Sequence, residues 1–224
     1  MSLLEIQLRK LKAAGITEIV VNIHHFADLM VSRIEELRAR LGLDILISDE
    51  RDQLLETGGG LKKAESLLTS YEQPILIVNV DVLHDLDFKV LEEELTRSNA
   101  LSILAVRTRK TSRYLVWDAE LHLKGWIHKG TGEVKGELLN QAEIQDKGYT
   151  EYAFSGIQVI SPELFPLIRQ TGKFSIIETY LDLIPTGRIK AHPHSEGVWL
   201  DVGKPETLKQ ASGLMDQILP PHSV

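Results

Sequence analysis

Two aspartates stand at positions where a carboxylate can do chemistry. Asp81 follows the apolar run Ile75-Leu76-Ile77-Val78, in Val78-Asn79-Val80-Asp81, and Asp201 closes Val198-Trp199-Leu200 ahead of Val202-Gly203-Lys204-Pro205. In a doubly wound α/β sheet, ligands bind in the crevice outside the carboxyl ends of the strands, and magnesium is commonly held by one or two carboxylates plus substrate phosphates. Each residue also has a plainer role. Asp81 could cap the next segment as an acidic turn residue, and Asp201 could cap a proline-started helix, whose orphan amides and dipole favour an acid. Taken as a pair, they point to a hard cation. A third feature is Glu56-Thr57-Gly58-Gly59-Gly60, in which glycines ahead of a helix let backbone approach a planar ligand and Thr57 offers a hydroxyl. It lacks the Gly-Lys-Ser/Thr ending of a P-loop.

The remaining reactive side chains carry less. His24-His25 follow a strand end, but neighbours on one strand point apart. His192 and His194 would share a face if extended, yet no third ligand lies nearby in sequence, so no zinc site is expected. Trp117, Trp126 and Trp199 read as packing residues. Asp85-Leu86-Asp87 has the Asp-x-Asp form with which nucleotide-sugar glycosyltransferases hold a metal, but it lies beyond the strand end, where a helix cap is simpler.

The elements that must position these residues follow from periodicity. Leu4, Leu8 and Leu11 predict an opening helix with a capping-box start at Ser2-Leu3-Leu4-Glu5. Next come a strand at 18–23, a helix through Phe26 to Leu41 stopped by Gly42, and a strand at 44–48. A loop ending in Gly58-Gly59-Gly60 should lead to a helix over 61–68, then the strand 75–78, a helix around Leu91 and Leu95, and a strand at 101–107. This alternation implies parallel strands covered on both faces. A hairpin turning at Asp118-Ala119-Glu120 begins a β-rich insertion, followed by a strand at 153–160, helices near 162–169 and 175–184, strands at 188–192 and 198–201, and a closing helix from Pro205 to about Ile218.

Across 224 residues, 43% are hydrophobic and 25% charged, enough for one sizeable core and expected as a single domain over 1–224. A net charge of −7 with no basic block argues against nucleic acid as partner. No apolar run is long enough to cross a bilayer, so no membrane partner is expected. With no cysteine and no leader-like start, the reading is cytoplasmic.

Together these segments resemble the sugar-1-phosphate nucleotidylyltransferases, over roughly Leu3 to Ala211. The resemblance implies a Rossmann-like doubly wound mixed sheet with a β-rich insertion, and transfer of a nucleoside monophosphate from an NTP to a sugar 1-phosphate with release of pyrophosphate. Leu55-Glu56-Thr57-Gly58-Gly59-Gly60 is similar to the base-contacting segment, and Asn79-Val80-Asp81 to an Asn-Gly-Asp metal motif with Val80 in place of glycine. Glu151-Tyr152-Ala153-Phe154-Ser155-Gly156-Ile157 resembles the strand lining the sugar pocket, and Trp199 to Pro205 the second metal segment. The implied roles are Asp81 and Asp201 as Mg2+ ligands and catalytic centre, with Glu56, Thr57, Gly58, Gly59 and Asn79 at the nucleotide. Tyr152, Gly156 and Asp118 would stand at the sugar. The Asn22-Ile23-His24-His25 stretch most resembles enzymes acting on N-acetylmuramic acid 1-phosphate or mannose 1-phosphate.

Members of that family open with a strand and a glycine-rich loop carrying an Arg, then a Pro-Lys. This sequence starts after them, and neither Gly58–Gly60 nor Gly130-Thr131-Gly132 is followed by an Arg at a matching spacing. The resemblance therefore implies a weakly active or inactive chain and an unpaired edge on the strand at 18–23 or 75–78, where a second copy of the chain could pair. It also leaves open a non-catalytic sugar-nucleotide-binding or regulatory module.

Overall fold

The computed structural model describes residues 1–68, 72–138, 140–203, 207, 210, 211 and 213–219. Helix α1 (Leu3–Ala13) starts at Ser2, whose hydroxyl accepts from the Glu5 amide at 3.3 Å. Only that half of the expected box forms, because the buried Glu5 carboxylate is taken by Arg9, Arg33 and Arg40 at 3.1, 2.9 and 2.7 Å. Burial would raise the Glu5 pKa, but these guanidinium groups outweigh it and hold the pKa below its ordinary value.

Strand β1 (Glu18–Ile23) and β2 (Asp44–Asp49) form a two-stranded parallel sheet, covered by α2 (Ala27–Leu41), which Gly42 ends in a left-handed cap. Helix α3 starts earlier than the sequence predicts. It runs Glu56–Ala64 and takes in all three glycines, because they are where the helix touches its neighbours. A Cβ on Gly58 would stand 2.3 Å from the Phe174 ring, and one on Gly59 2.1 Å from the Gly172 carbonyl.

The main sheet is built on the long strand β9 (Thr150–Ile160). Strands β3 (Ile75–Val78) and β5 (Ser102–Arg107) each pair antiparallel with β9. The sheet is therefore mixed, and the expected parallel contact between β3 and β5 is replaced by β9 inserted between them. Strand β10 (Ile189–Pro193) adds parallel to β5, and the hairpin β6 (Arg113–Trp117) and β7 (Leu123–His128), with β8 (Val134–Gly136), extends the sheet beyond β9. Helix α4 (Phe88–Ser98) covers one face with Leu91 and Leu95. Helix α6 (Ile176–Asp182), capped by the Ser175–Glu178 box, covers the other around the buried Tyr180. The short helix α5 (Ala142–Asp146) packs Ile144 beneath the insertion.

Helix α1 joins the β1–β2 sheet to the main sheet. Leu4 and Leu8 pack with Ile23, Ile34 and Leu37, while Leu11 and Ala14 pack against the main-sheet core that includes Ile103, Ile157 and Val159. Among the described residues, β1 and β3 each pair on one side only. The expected closing helix begins on residues outside those described; its last turn, Met215–Ile218, is helical. No described helix is long and apolar enough to cross a membrane.

Candidate active site

The residues Val82-Leu83-His84, to which the sequence reading assigns no element, form strand β4, which pairs antiparallel with β11 (Trp199–Asp201). Asp201 lies opposite Val82, next to Asp81, and the Val202 amide donates to the Asp81 carbonyl at 2.8 Å. This short ladder brings together two aspartates 120 positions apart. A Cβ on Gly203 would stand 3.2 Å from Asp201 Oδ1 and 3.6 Å from Asp81 Oδ2, so both carboxylates border one small space. The Gly203 amide donates to Asp201 Oδ1 at 3.0 Å, while Asp81 is only partly buried and Asp201 is exposed. Two hard oxygen donors without nitrogen or sulfur suit a magnesium-like cation that takes its other ligands from water and phosphates.

Asn79 joins this corner. Its amide donates to the Gly156 carbonyl at 2.8 Å, and a Cβ on Gly156 would meet the Asn79 side chain at 3.0 Å. Gly156 has φ +77 and lies in a bulge, where the β5–β9 register jumps from Leu104–Gln158 to Val106–Phe154. Such bulges bend a strand and re-aim its side chains.

The other expected contacts lie elsewhere. Thr57 Oγ1 accepts from the Ile176 amide at 3.1 Å, and the Gly58 and Gly59 amides donate to the Phe174 carbonyl. These two glycines are buried in packing, whereas Glu56 and Thr57 are exposed. Glu56 has a left-handed φ of 60 at the helix start and pairs with Lys173 at 3.5 Å. The buried Glu50 was not singled out in sequence; it braces this segment, accepting from Asn22 at 2.6 Å and from the Leu55 amide at 3.1 Å.

Tyr152 lies on β9 opposite Leu115. Asp118 follows Trp117, which pairs with Thr150, six residues along β9 from Gly156. At about 3.3 Å per residue, that separation is roughly 20 Å. The fold therefore does not bring Asp118 to the Asp81–Asp201 pair. With Glu120 and His122 it forms a cluster of possible metal ligands, but its Oδ1 already accepts from the Glu120 and His122 amides as an ordinary turn. In the Asp-x-Asp run, Asp87 caps α4 through the Lys89 amide and Asp85 accepts from the Val198 amide.

Around β11 the structure adds residues the sequence did not mark. The Trp199 indole donates to the Ser155 carbonyl at 2.9 Å, and the Arg107 and Arg109 guanidinium carbons lie 5.5 and 4.7 Å from its ring centre. Sequence reading gave Trp199 a packing role; the structure makes it a platform for two cations. His194 bonds the Ser155 hydroxyl at 2.7 Å, and burial, then the Arg107 charge, pushes its pKa down to about 4. The only sequence signal was the basic run Arg107-Thr108-Arg109-Lys110, which resembles a solvated surface.

Comparison with known proteins bears on the family and the fold. The chain is 29% identical over 213 residues to the N-acetylmuramate alpha-1-phosphate uridylyltransferase of Caulobacter vibrioides, covering 92% of this chain and 80% of that protein. It is 27% identical over 214 residues to mannose-1-phosphate guanyltransferase 2 of Candida glabrata, covering 95% of this chain and 56% of that protein. The chain thus spans about half the length of that relative. Among solved structures, a Bacillus anthracis protein assigned as a glucose-1-phosphate thymidylyltransferase superposes with a TM-score of 0.74 at 16% identity, over 99% of this chain and 85% of that one. The inositol-1-phosphate CTP transferase of T. maritima gives 0.67 at 15%, over 96% and 82%. The nucleotidyl transferase profile matches residues 1–217, and the chain belongs to that family.

Proposed function

We propose that this chain supplies the catalytic domain of a sugar-1-phosphate nucleotidyltransferase, with Asp81 and Asp201 holding Mg2+. The observation that carries the reading is the β4–β11 ladder, which sets both carboxylates around the space beside Gly203. In the reaction, an oxygen of the sugar phosphate attacks the α-phosphorus of the NTP, the new P–O bond forms, and pyrophosphate leaves. Bound magnesium would neutralise charge on the phosphates. Asp81 and Asp201 fix where those phosphates sit, while Asn79, tied to Gly156, holds one wall of the same corner. Glu56 and Thr57, exposed at the start of α3, would contact the base, and Tyr152 the sugar. The 29% identity to an N-acetylmuramate 1-phosphate enzyme and 27% to mannose 1-phosphate enzymes favour an amino- or hexose 1-phosphate as acceptor.

Pyrophosphate release, measured with a panel of nucleoside triphosphates and sugar 1-phosphates, tests the reading. D81N and D201N should each lower the rate by about 10²–10³-fold, comparable to losing a preorganised transition-state contact, while keeping wild-type melting behaviour. Wild-type protein that binds nucleotide sugars but releases no pyrophosphate under any pairing, alone or with an upstream strand and glycine-rich loop supplied, would instead be a binding or regulatory module.

A further inference from the structure

Arg107 and Arg109 form a concentration of positive charge, Arg109 within electrostatic reach of Asp201 and Arg107 of Asp85. Among the described residues neither makes an ion pair. Their hydrogen bonds go to neutral carbonyls, Arg107 to Ser195 at 2.9 Å and Arg109 to Phe154 at 3.3 Å. Arg107 Nη1 and Arg109 Nε are buried without a partner. Unpaired buried donors are costly, the more so when charged, and persist where a ligand or water satisfies them. Both groups are fixed against Trp199, two residues before Asp201 on the same strand and therefore on the same face. Phe154, which Arg109 holds, lies two residues before Gly156, whose backbone approaches Asn79.

We propose that Arg109, seated on Trp199 and supported by Arg107, binds a phosphate group of the substrate on the side of the Asp81–Asp201 site opposite the cation. A guanidinium presents a planar fork of donors matched to phosphate oxygens, and its indole stacking pre-orders it at little entropic cost. The carboxylates alone would repel a triphosphate or a sugar phosphate. Cations on both sides of the phosphate convert the corner from an acidic cluster to a phosphate seat. The assignment rests on the nucleotidyl-transfer reading but is carried by different residues, so the two can fail separately.

The test uses binding rather than turnover. Mn2+ alone, followed by its paramagnetic resonance, reports the carboxylates. Inorganic pyrophosphate and glucose 1-phosphate, each titrated calorimetrically with Mg2+ present, report the nucleotide and sugar sides. R109Q should weaken at least one of the two by roughly 10–100-fold, the worth of a charged hydrogen-bonded pair, and the affected arm identifies the phosphate. Its Mn2+ affinity should be unchanged or tighter, because a competing cation has gone. R109K should fall between, keeping charge without the fork, and W199L should weaken the same arm while Arg109 is intact. Unchanged affinity for both phosphate ligands in R109Q, with Mn2+ binding retained, overturns the Arg109 assignment alone. Failure of wild-type protein to bind Mn2+ overturns the metal reading and this assignment with it.

Discussion

Gly58 and Gly59 show how a residue that resembles a ligand loop can be fixed by packing. Their missing side chains let α3 lie against the Gly172–Ile176 segment, which in turn presents Thr57 and Glu56 at the surface. Replacing Gly59 by alanine places a Cβ 2.1 Å from a carbonyl oxygen, a contact that only backbone movement can relieve. Such overpacking costs about 1–3 kcal/mol or more, so urea denaturation of G59A should show that loss. A melt equal to wild type would show that the helix can shift freely. Asp81 and Asp201 could be marked as candidates from sequence because both stand at strand ends, where an α/β sheet binds ligands, and because the segments around them gave the pair weight. Arg109 could not, because its meaning depends on Trp199, which is 90 residues away.

At the scale of elements, β4 decides the site and was hidden in the sequence. Its three residues Val82–His84 have no alternation and no turn signal that separates them from the preceding loop. What makes them a strand is β11 on one side and α1 on the other: Gln7 donates to the Val82 carbonyl, and Lys10 donates to that of His84 and lies 3.1 Å from its ring nitrogen. Burial first, then the charge of Lys10, pushes the His84 pKa from 6.5 down to about 3. The folded state therefore takes up this proton later than the unfolded chain does. Between pH 6.5 and 3 the unfolded chain binds more protons, so stability falls as pH drops through that window. For His84 the loss is about 3 kcal/mol by pH 4, at roughly 1.4 kcal/mol per unit. Denaturation at several pH values should show H84Q losing about one proton's worth of that slope; an unchanged slope would place the acid sensitivity elsewhere.

At the scale of the molecule, α1 does what a continuous sheet would otherwise do. It packs into the β1–β2 unit with Leu4 and Leu8 and into the main sheet with Leu11, while β1 and β3 each keep one edge free of described partners. We read those edges as a seat for one further strand, from another segment or from a second copy. Hydrogen exchange separates the cases. Without such a strand, the amides of β1 and β3 on the free side should exchange quickly, while β5, paired on both sides, stays protected. Protection of β1 and β3 that rises with protein concentration would identify a second copy as the occupant.

The sequence by itself determined the α/β class and most helices and strands, and it marked the two acids as candidates. Those features rest on local periodicity, caps and strand-end position, which a short window contains. Tertiary structure alone decided that β9 separates β3 from β5, that β4 meets β11, that Asp118 lies far from the acids, and that two arginines flank Trp199. Each of these depends on contacts between distant segments, and only burial and hydrogen-bond pairing across the folded chain select them.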